Sequence, residues 1–497
     1  MFPNQEYQLI SEHFNEIGHL KHLITLATWD NQILAPQNGQ SARNNAISYA
    51  SKLSHNLLLD PKLSHLIDKI DIETLNSWQK RNLELIKKEV FLSRVLPENL
   101  VQSFTQHKLE SEQAWRKCRA LNDWKSFIPF LKNTVKDIKE IAKIKGDYLN
   151  KTPYDSLLDQ YSPGLSELEI DPIFNKIKSI LPNFISEVRE KQSLTNFIPI
   201  DSGNYDIEKQ KMCVNEIAAI LGFNFDSGRI DTSHHPFSKS IGKGDVRITT
   251  RYDETNVLSA ILLACHEIGH AFYEQSLPTQ DSLQPISRPL GMSVHESQAL
   301  LYENHICASK PFIDIISRIL IKHFGHSEKF EVNNLYLNIR FVQPQLIRLG
   351  SDEVTYPMHI ILRYEIEKLL IGNDIQVEDL PTIWQEKMKK YLELEVEGNY
   401  KDGVMQDIHW PAGGFGYFPA YLVGSIMAAQ LYSTASEKHQ TIIQNIEKSD
   451  FSLINNWLQQ NIHKNGSIYS FHDLLQLSTN KTLTVEPFLA HLSKRYL

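Results

Sequence analysis

The sequence predicts a mainly α-helical protein with one small β-sheet beside a buried helix. Three observations carry that expectation. The first 190 residues are helical by pattern. Between about Asn196 and Tyr252 the texture changes, and glycines and short β-branched runs enter. After Ser293 the helical pattern resumes and continues to the end. No repeat, charge block or low-complexity linker separates these stretches in the 497 residues. The expectation is therefore a single domain over 1–497, with a helical N-terminal part to about 190 and a second part from about 191 that carries the chemistry.

Taken in order, Val95-Leu-Pro-Glu-Asn begins a helix with Pro97 near the first turn, where a missing N–H costs little. Leu96, Leu100 and Phe104 then recur at four-residue spacing. Asn122-Asp123-Trp124 reads as a cap before a long helix to about Leu149. The stretch from Tyr154 to Gly164, YDSLLDQYSPG, reads as turn chemistry that closes it. Val246, Ile248, Thr250 and Tyr252 alternate with Arg247, Thr249 and Arg251, the period of a strand. A helix over Asn256–Tyr273 follows, and Gly291 to Asn304 reads as another. Phe415 to Leu431 is apolar enough to resemble a membrane span. It holds Pro419, Gly424 and Gln430 and is short for ~30 Å of hydrocarbon, so a buried core helix is expected.

Composition narrows the function. With 51 Lys and Arg against 59 Asp and Glu, the net charge of −8 carries no basic bias toward nucleic acid or an anionic membrane. Cys118, Cys213, Cys265 and Cys307 form no CxxC pair and read as free thiols of a reducing compartment. The N-terminal stretch has early acidic residues and no apolar h-region, so no secretory signal is visible and a cytoplasmic location is expected.

The chemistry concentrates in ACHEIGHAF, Ala264 to Phe272. On a helix, His266 and His270 share one face and their rings can converge on one ion. Glu267 is offset one step round. It is poorly placed as a ligand of the same kind, yet within reach of a water whose pKa zinc lowers toward ~7. The preceding VLSAILLAC is apolar nearly all round, so the helix is buried and its polar residues require partners. Gly269 inside the motif allows another backbone to approach closely.

A catalytic zinc takes three protein ligands. Glu296 lies on the Gly291–Asn304 helix, far enough past His270 for a loop and a return helix. His295 and Glu303 are rival ligands on the same stretch. Ser293-Val-His-Glu296 also fits a capping box, in which Glu296 would serve only the helix end. Spacing leaves these alternatives open.

HEIGH, then HESQ at His295–Gln298, IRLGSD at Ile347–Asp352 and GVMQDIHW at Gly403–Trp410 together resemble the zinc carboxypeptidase family typified by the thermostable carboxypeptidase Taq. His235-Pro-Phe237 and Asp245-Val-Arg-Ile-Thr249 match that family's HPF and DxRxT motifs, and Trp29-Asp30 and YDSLLDQYSPG are similar to its N-terminal half. One departure is Ser351 where the family's IRxxAD has alanine. The resemblance implies His266, His270 and Glu296 as ligands of Zn²⁺, with Co²⁺ a possible substitute, and Glu267 as general base. It also implies a large helical body with a deep active-site groove, and a homodimer.

A carboxypeptidase must recognise a free α-carboxylate, which the planar guanidinium fork does best. Arg348 is the candidate, carried over from IRxxAD. The oxyanion of the tetrahedral intermediate needs a donor besides the metal, and Tyr417 and His409 are candidates. A tight PAGGFGYF loop next to a ligand would suit its glycines. A structural tyrosine on a turn is the competing reading. The resemblance sets His235, Arg247 and Gln406 along the groove, meeting the peptide or limiting its length.

The expected function is a metallocarboxypeptidase that removes residues one at a time from peptides with a free C-terminus. An endopeptidase or dipeptidyl carboxypeptidase of related helical architecture is the rival enzyme. A helical binding scaffold that has lost its metal is the rival from another class, and the intact histidines and glutamates argue against it.

Overall fold

The computed structural model describes residues 4–201 and 203–497. Among these, eight α-helices run between Gln5 and Ser193, as the pattern of the first 190 residues requires. The first, Gln5–Ile33, starts where the Asn4 side chain accepts the Tyr7 N–H, and buries Ile10, Phe14 and Ile17 along one stripe. Pro97 precedes the first turn of Glu98–Ala120 instead of lying inside it, and Leu100 on that helix is buried. Asp123 caps Trp124–Leu149 through the Ser126 N–H, as expected.

The Tyr154–Gly164 stretch departs from expectation. It is not a turn but a helix, Pro153–Tyr161, capped by the Thr152 hydroxyl on the Asp155 N–H. Tyr154, Leu157 and Leu158 recur at helical spacing and are buried, and that burial outweighs the turn-forming Asp and Ser beside them. Only the end is a turn, with Gly164 at φ +92°.

Apolar packing divides the chain earlier than residue 190. Ile10, Phe14, Ile17, Leu83 and Ile86 form a small cluster of their own. The helices from Trp124 onward join the main core with the sheet and the helices that follow it. A buried polar network ties the two together. The Asn82 side chain donates to Gln284 Oε1 at 3.1 Å and accepts the Ile286 N–H at 3.2 Å, while Gln284 Nε2 donates to the Ser11 carbonyl at 2.8 Å. Asn82 also donates to the Tyr7 hydroxyl at 3.0 Å, and the bonds to Gln284 and Ile286 pair its remaining polar groups across the two clusters, which helps to set the placement of the N-terminal helices.

The sheet has three strands, β1 (Gly228–Thr232), β2 (Ser238–Gly242) and β3 (Asp245–Thr250), in the order β1-β3-β2. β3 pairs parallel to β1, with Arg229 opposite Arg247, and antiparallel to β2 with an irregularity at Ser240/Gly242. Val246 and Ile248 point into the core. Their strand lies against the helix Val257–Gln275 that carries the two histidines. The stretch that resembled a membrane span enters Pro419–Lys438, whose Leu422, Val423, Ile426 and Met427 are buried in protein. No helix of the described residues is long and apolar enough to cross a membrane.

The C-terminal helix Glu486–Tyr496 docks through a buried acid. Glu353 accepts from His491 Nε2 at 2.8 Å and from the Tyr496 hydroxyl at 3.0 Å, with Arg495 Nη1 at 3.3 Å. Burial would raise its pKa, but His491 and Arg495 outweigh burial and bring it from 4.5 to about 2. A folded-state pKa below the unfolded one gives stability that is present above the unfolded value and lost as pH falls through the folded value. This carboxylate should contribute on the order of 3 kcal/mol above about pH 5. Glu353→Gln should therefore flatten the loss of denaturant midpoint between pH 4.5 and 2. A wild-type and variant series of unfolding curves across that range checks it.

Candidate active site

The helix Val257–Gln275 begins where the Asn256 side chain accepts the Ser259 N–H at 3.0 Å. One turn apart on it, the His266 and His270 rings stand 4.8 Å between centroids. A Cβ on Gly269 would lie 2.7 Å from Ala299 Cα and from the Gln298 carbonyl oxygen, so two helix backbones touch there, as the motif's glycine suggested. The partner helix, Met292–Leu300, starts at Gly291 (φ +88°) with no side-chain cap. Ser293 bonds the Ser162 hydroxyl at 2.6 Å, so Ser293 and Glu296 do not form a capping box. Glu296 turns instead toward the histidines. Beyond Leu300 the chain continues as a π-helical segment, Leu301–Cys307, a rare form that is frequent at functional sites.

Among the described residues, His266, His270 and Glu296 are the group whose ligating atoms converge, all within 4.8 Å of one another. Glu296 Oε1 lies 3.7 Å from His266 Nε2, and Glu296 Oε2 lies 3.6 Å from His270 Nε2. Ligands about 2.0–2.1 Å from a tetrahedral ion stand about 3.3–3.4 Å apart, so a small contraction closes these atoms on Zn²⁺. Two imidazoles and one carboxylate are also a donor set that such an ion takes. The rival residues occupy other places. Glu303 accepts from His266 Nδ1 at 2.7 Å, which leaves Nε2 with its lone pair free. His270 Nδ1 faces His295 Nδ1 at 2.7 Å and the His295 carbonyl at 3.1 Å, and His295 Nε2 reaches Glu274 Oε1 at 3.0 Å. If His295 gives its Nε2–H to Glu274, its Nδ1 accepts from His270 Nδ1–H, and His270 Nε2 is likewise left to ligate. Glu274 is a partner that sequence reading did not single out.

Burial drives the His270 pKa well below its ordinary value, so the ring is neutral. Burial acts the same way on His266, but Glu296, Glu303 and Glu267 outweigh it and lift the ring to about 10, so cation and proton compete for the same nitrogen. Burial pushes Glu267 up to about 7, with His266 pulling down and Glu296 and Glu303 pushing up. Glu267 Oε2 is buried and has no hydrogen-bond partner among the described residues. A carboxylate oxygen in that condition calls for a ligand or water, which fits a group held beside it.

These residues line a cavity of about 530 Å³ together with His235, Arg348, Tyr356, Tyr417 and Tyr421. Burial keeps the Tyr417 phenol protonated, hence a donor. Arg348 is buried. Its Nε and Nη2 donate to Asp407 Oδ1 at 3.2 and 2.9 Å, and its Nη1 to the Tyr356 hydroxyl at 2.9 Å. Three other expected residues do not line the cavity. Gln406 is occupied by protein, accepting the Arg348 N–H at 2.8 Å and donating to the Leu346 and Asp402 carbonyls, so it braces Arg348. Arg247 is clamped by Asp245 at 2.8 and 2.6 Å and lies over the Trp29 ring. His409 packs among Tyr417, Phe418 and Tyr421, and burial pulls it down to about 4. Nor do the loop glycines border the cavity. Gly416 (φ +82°) meets the Leu157 backbone and Gly413 (φ +73°) meets Phe104. Asp407, Arg363 and Tyr356 were missed. The one local signal was Arg363, directly after the apolar Ile360-Ile361-Leu362.

Gly424, on the helix Pro419–Lys438, lets that helix pack onto Glu296. A Cβ there would stand 2.9 Å from both Glu296 Cβ and Cγ. Gly424→Ala should displace the carboxylate and weaken cation retention about 10-fold or more, the scale of a disturbed ligand support. Competition of the loaded protein against a graded chelator series checks it.

The chain is similar to known proteins over nearly its whole length. The chain is 33% identical over 485 residues to carboxypeptidase 1 of Bacillus subtilis, covering 97% of this chain and 96% of the relative. It is 32% identical over 509 residues to thermostable carboxypeptidase 1 of Thermus thermophilus, covering 100% and 99%. The solved structure of Trypanosoma cruzi metallocarboxypeptidase 1 superposes with a TM-score of 0.97 at 35% identity, covering 99% of each chain. The family model of the carboxypeptidase Taq (M32) metallopeptidases matches residues 9–496, nearly the whole length, and the chain belongs to that family.

Proposed function

We propose that this metallocarboxypeptidase works through a divalent cation held by His266, His270 and Glu296, zinc in the cell with cobalt able to replace it. When bound, the cation supplies Lewis acidity, lowering the pKa of a water and polarising the scissile carbonyl. Glu267 takes a proton from the water as its oxygen adds to the carbonyl carbon. It returns that proton to the amide nitrogen as the C–N bond breaks, so the carboxylate is restored. Tyr417 donates to the oxygen that gains charge. Arg348 receives the terminal carboxylate and His235 meets the peptide on the wall of the cavity. Gln406 and Arg247 act by bracing, and His409 by packing against Tyr417.

One observation carries this reading: the convergent ligand group, the unpartnered Glu267 oxygen and the buried Arg348 share one cavity. The whole chain acts as one catalytic unit. A homodimer is expected, and sedimentation at equilibrium tests it. The four cysteines are free and buried, which supports a reducing, cytoplasmic setting. The test of mechanism has two parts. Elemental analysis of the purified protein should find one zinc per chain, and chelation should abolish cleavage that zinc or cobalt then restores. A time-resolved mass ladder on a long peptide should descend in single-residue steps. Steps of two, or internal fragments, would favour a dipeptidyl or endopeptidase action.

A further inference from the structure

Arg348 is not a free cation waiting for a carboxylate. Asp407 Oδ1 already accepts from its Nε and Nη2. An isolated Arg348–Asp407 pair would be neutral, and a peptide's terminal carboxylate would gain little from it. The structure supplies a second arginine. Arg363 Nε donates to Asp407 Oδ2 at 2.7 Å and its Nη2 stands 2.6 Å from the same oxygen. Arg363 is buried and does not line the cavity. Its Nη1 donates to the His359 carbonyl at 2.7 Å, and its guanidinium lies over Trp384 at 4.7 Å and Phe418 at 5.2 Å.

We propose that Arg363 is a positioning and specificity-determining residue for the terminal carboxylate, because by sharing Asp407 it keeps the Arg348 subsite at a net charge of +1. Two guanidinium groups against one carboxylate leave one positive charge without an ion-paired carboxylate; the further acid that feels Arg363, Glu367, is pushed by burial up to about 7, and its oxygens accept from Tyr154, Trp410 and the Gly416 N–H. The two histidines nearest the cluster do not change that count at neutral pH, since burial holds His359 at about 3 and His409 at about 4. The missing negative charge arrives with the substrate. Of Arg348's five N–H groups, three are engaged, so one on each Nη remains to meet it. Asp407 thus aims the fork, and Arg363 prevents that aiming from cancelling the charge. Both act from outside the cavity. The cost of the surplus charge is limited by the aromatic rings around it, with Phe418 within reach of both guanidinium groups.

This rests on Arg348 as the carboxylate anchor, and the experiment separates the two ideas. The probes are an N-blocked peptide with a free C-terminal phenylalanine, and the inhibition constants of N-acetylphenylalanine and its amide, all on zinc-loaded enzyme. Arg363→Met, which suits the aromatic slot but removes the charge, should raise KM for the acid peptide about 10- to 100-fold with kcat within about threefold. It should also narrow the acid/amide ratio of the inhibitors by the same factor. Arg363→Lys should recover most of the ratio. Arg363→Met combined with Asp407→Asn returns the cluster to +1 and should discriminate better than Arg363→Met alone. Should Arg363→Met not fold, Arg363→Gln makes the same charge change with a polar side chain. An unchanged ratio in the folded charge-removing variant overturns the proposal. So does a double variant that discriminates worse than the single, because a packing role predicts additive damage. If Arg348→Ala itself leaves the ratio unchanged, the anchor reading fails; if Arg348→Ala collapses the ratio and removing the Arg363 charge does not, only the role of Arg363 fails.

Discussion

Glu267→Gln should keep its full complement of cation and lose about 10²–10⁴-fold in kcat, the usual worth of a positioned general base. The side chain is nearly inaccessible at 6% exposure, and Gln has the same shape, so the cavity should survive the change. Glu267 is not among the three residues whose ligating atoms converge. What the amide lacks is the ability to take a proton with the oxygen that here has no protein partner. Glu296→Gln makes the contrast. It places a neutral amide between His266 and His270, and the cation should be lost with the activity. Glu303→Gln should lie between the two, weakening affinity about 10- to 100-fold by releasing the His266 ring from its carboxylate. Metal stoichiometry and single-turnover rates on the three variants give the answer. A Glu267→Gln protein that emerges without metal, or a Glu296→Gln protein that holds it fully, would redraw the ligand set.

Arg348→Ala should lose about 10²–10³-fold in kcat/KM on free-acid peptides, the scale of one partner missing from a buried charge pair. A C-terminally amidated peptide should suffer a similar loss on the wild-type enzyme, because it brings no charge to the cationic cluster. On Arg348→Ala the gap between acid and amide should narrow. The fold should tolerate this variant, since Asp407 keeps Arg363 as its counter-ion. Burial would raise the Asp407 carboxyl, but Arg348 and Arg363 together hold it well below the usual carboxylate range, so one arginine still leaves an ionised pair. The measurement is a mass ladder on matched acid and amide peptides. Equal cleavage of the two by the wild type would remove Arg348 from the carboxylate site.

Several of these features were legible before the fold was known. The Asp123 cap of Trp124–Leu149, the strand alternation at Val246–Thr250 and the burial of Pro419–Lys438 all hold. Each depends on residues within a few turns of one another. The failures are of a different kind. Tyr154–Tyr161 carries turn-forming residues yet is helical, because its apolar stripe meets the core. Gln406 and Arg247 come from motifs that carry the family resemblance, yet their polar groups are taken by neighbours.

By itself, then, the sequence determined the mainly helical class, the buried helix with two histidines one turn apart, the glycine that admits a second backbone, and the family. These follow from helical periodicity and steric rules that act over a few residues. Only the tertiary structure brought Glu296 to those histidines, assigned Glu303 and His295 to their outer nitrogens, and set Arg348 and Arg363 on the two oxygens of Asp407. A buried charge must find its partner from whatever the packing brings near. Partners 25 to 59 residues apart in the chain leave no local pattern from which the pairing can be read.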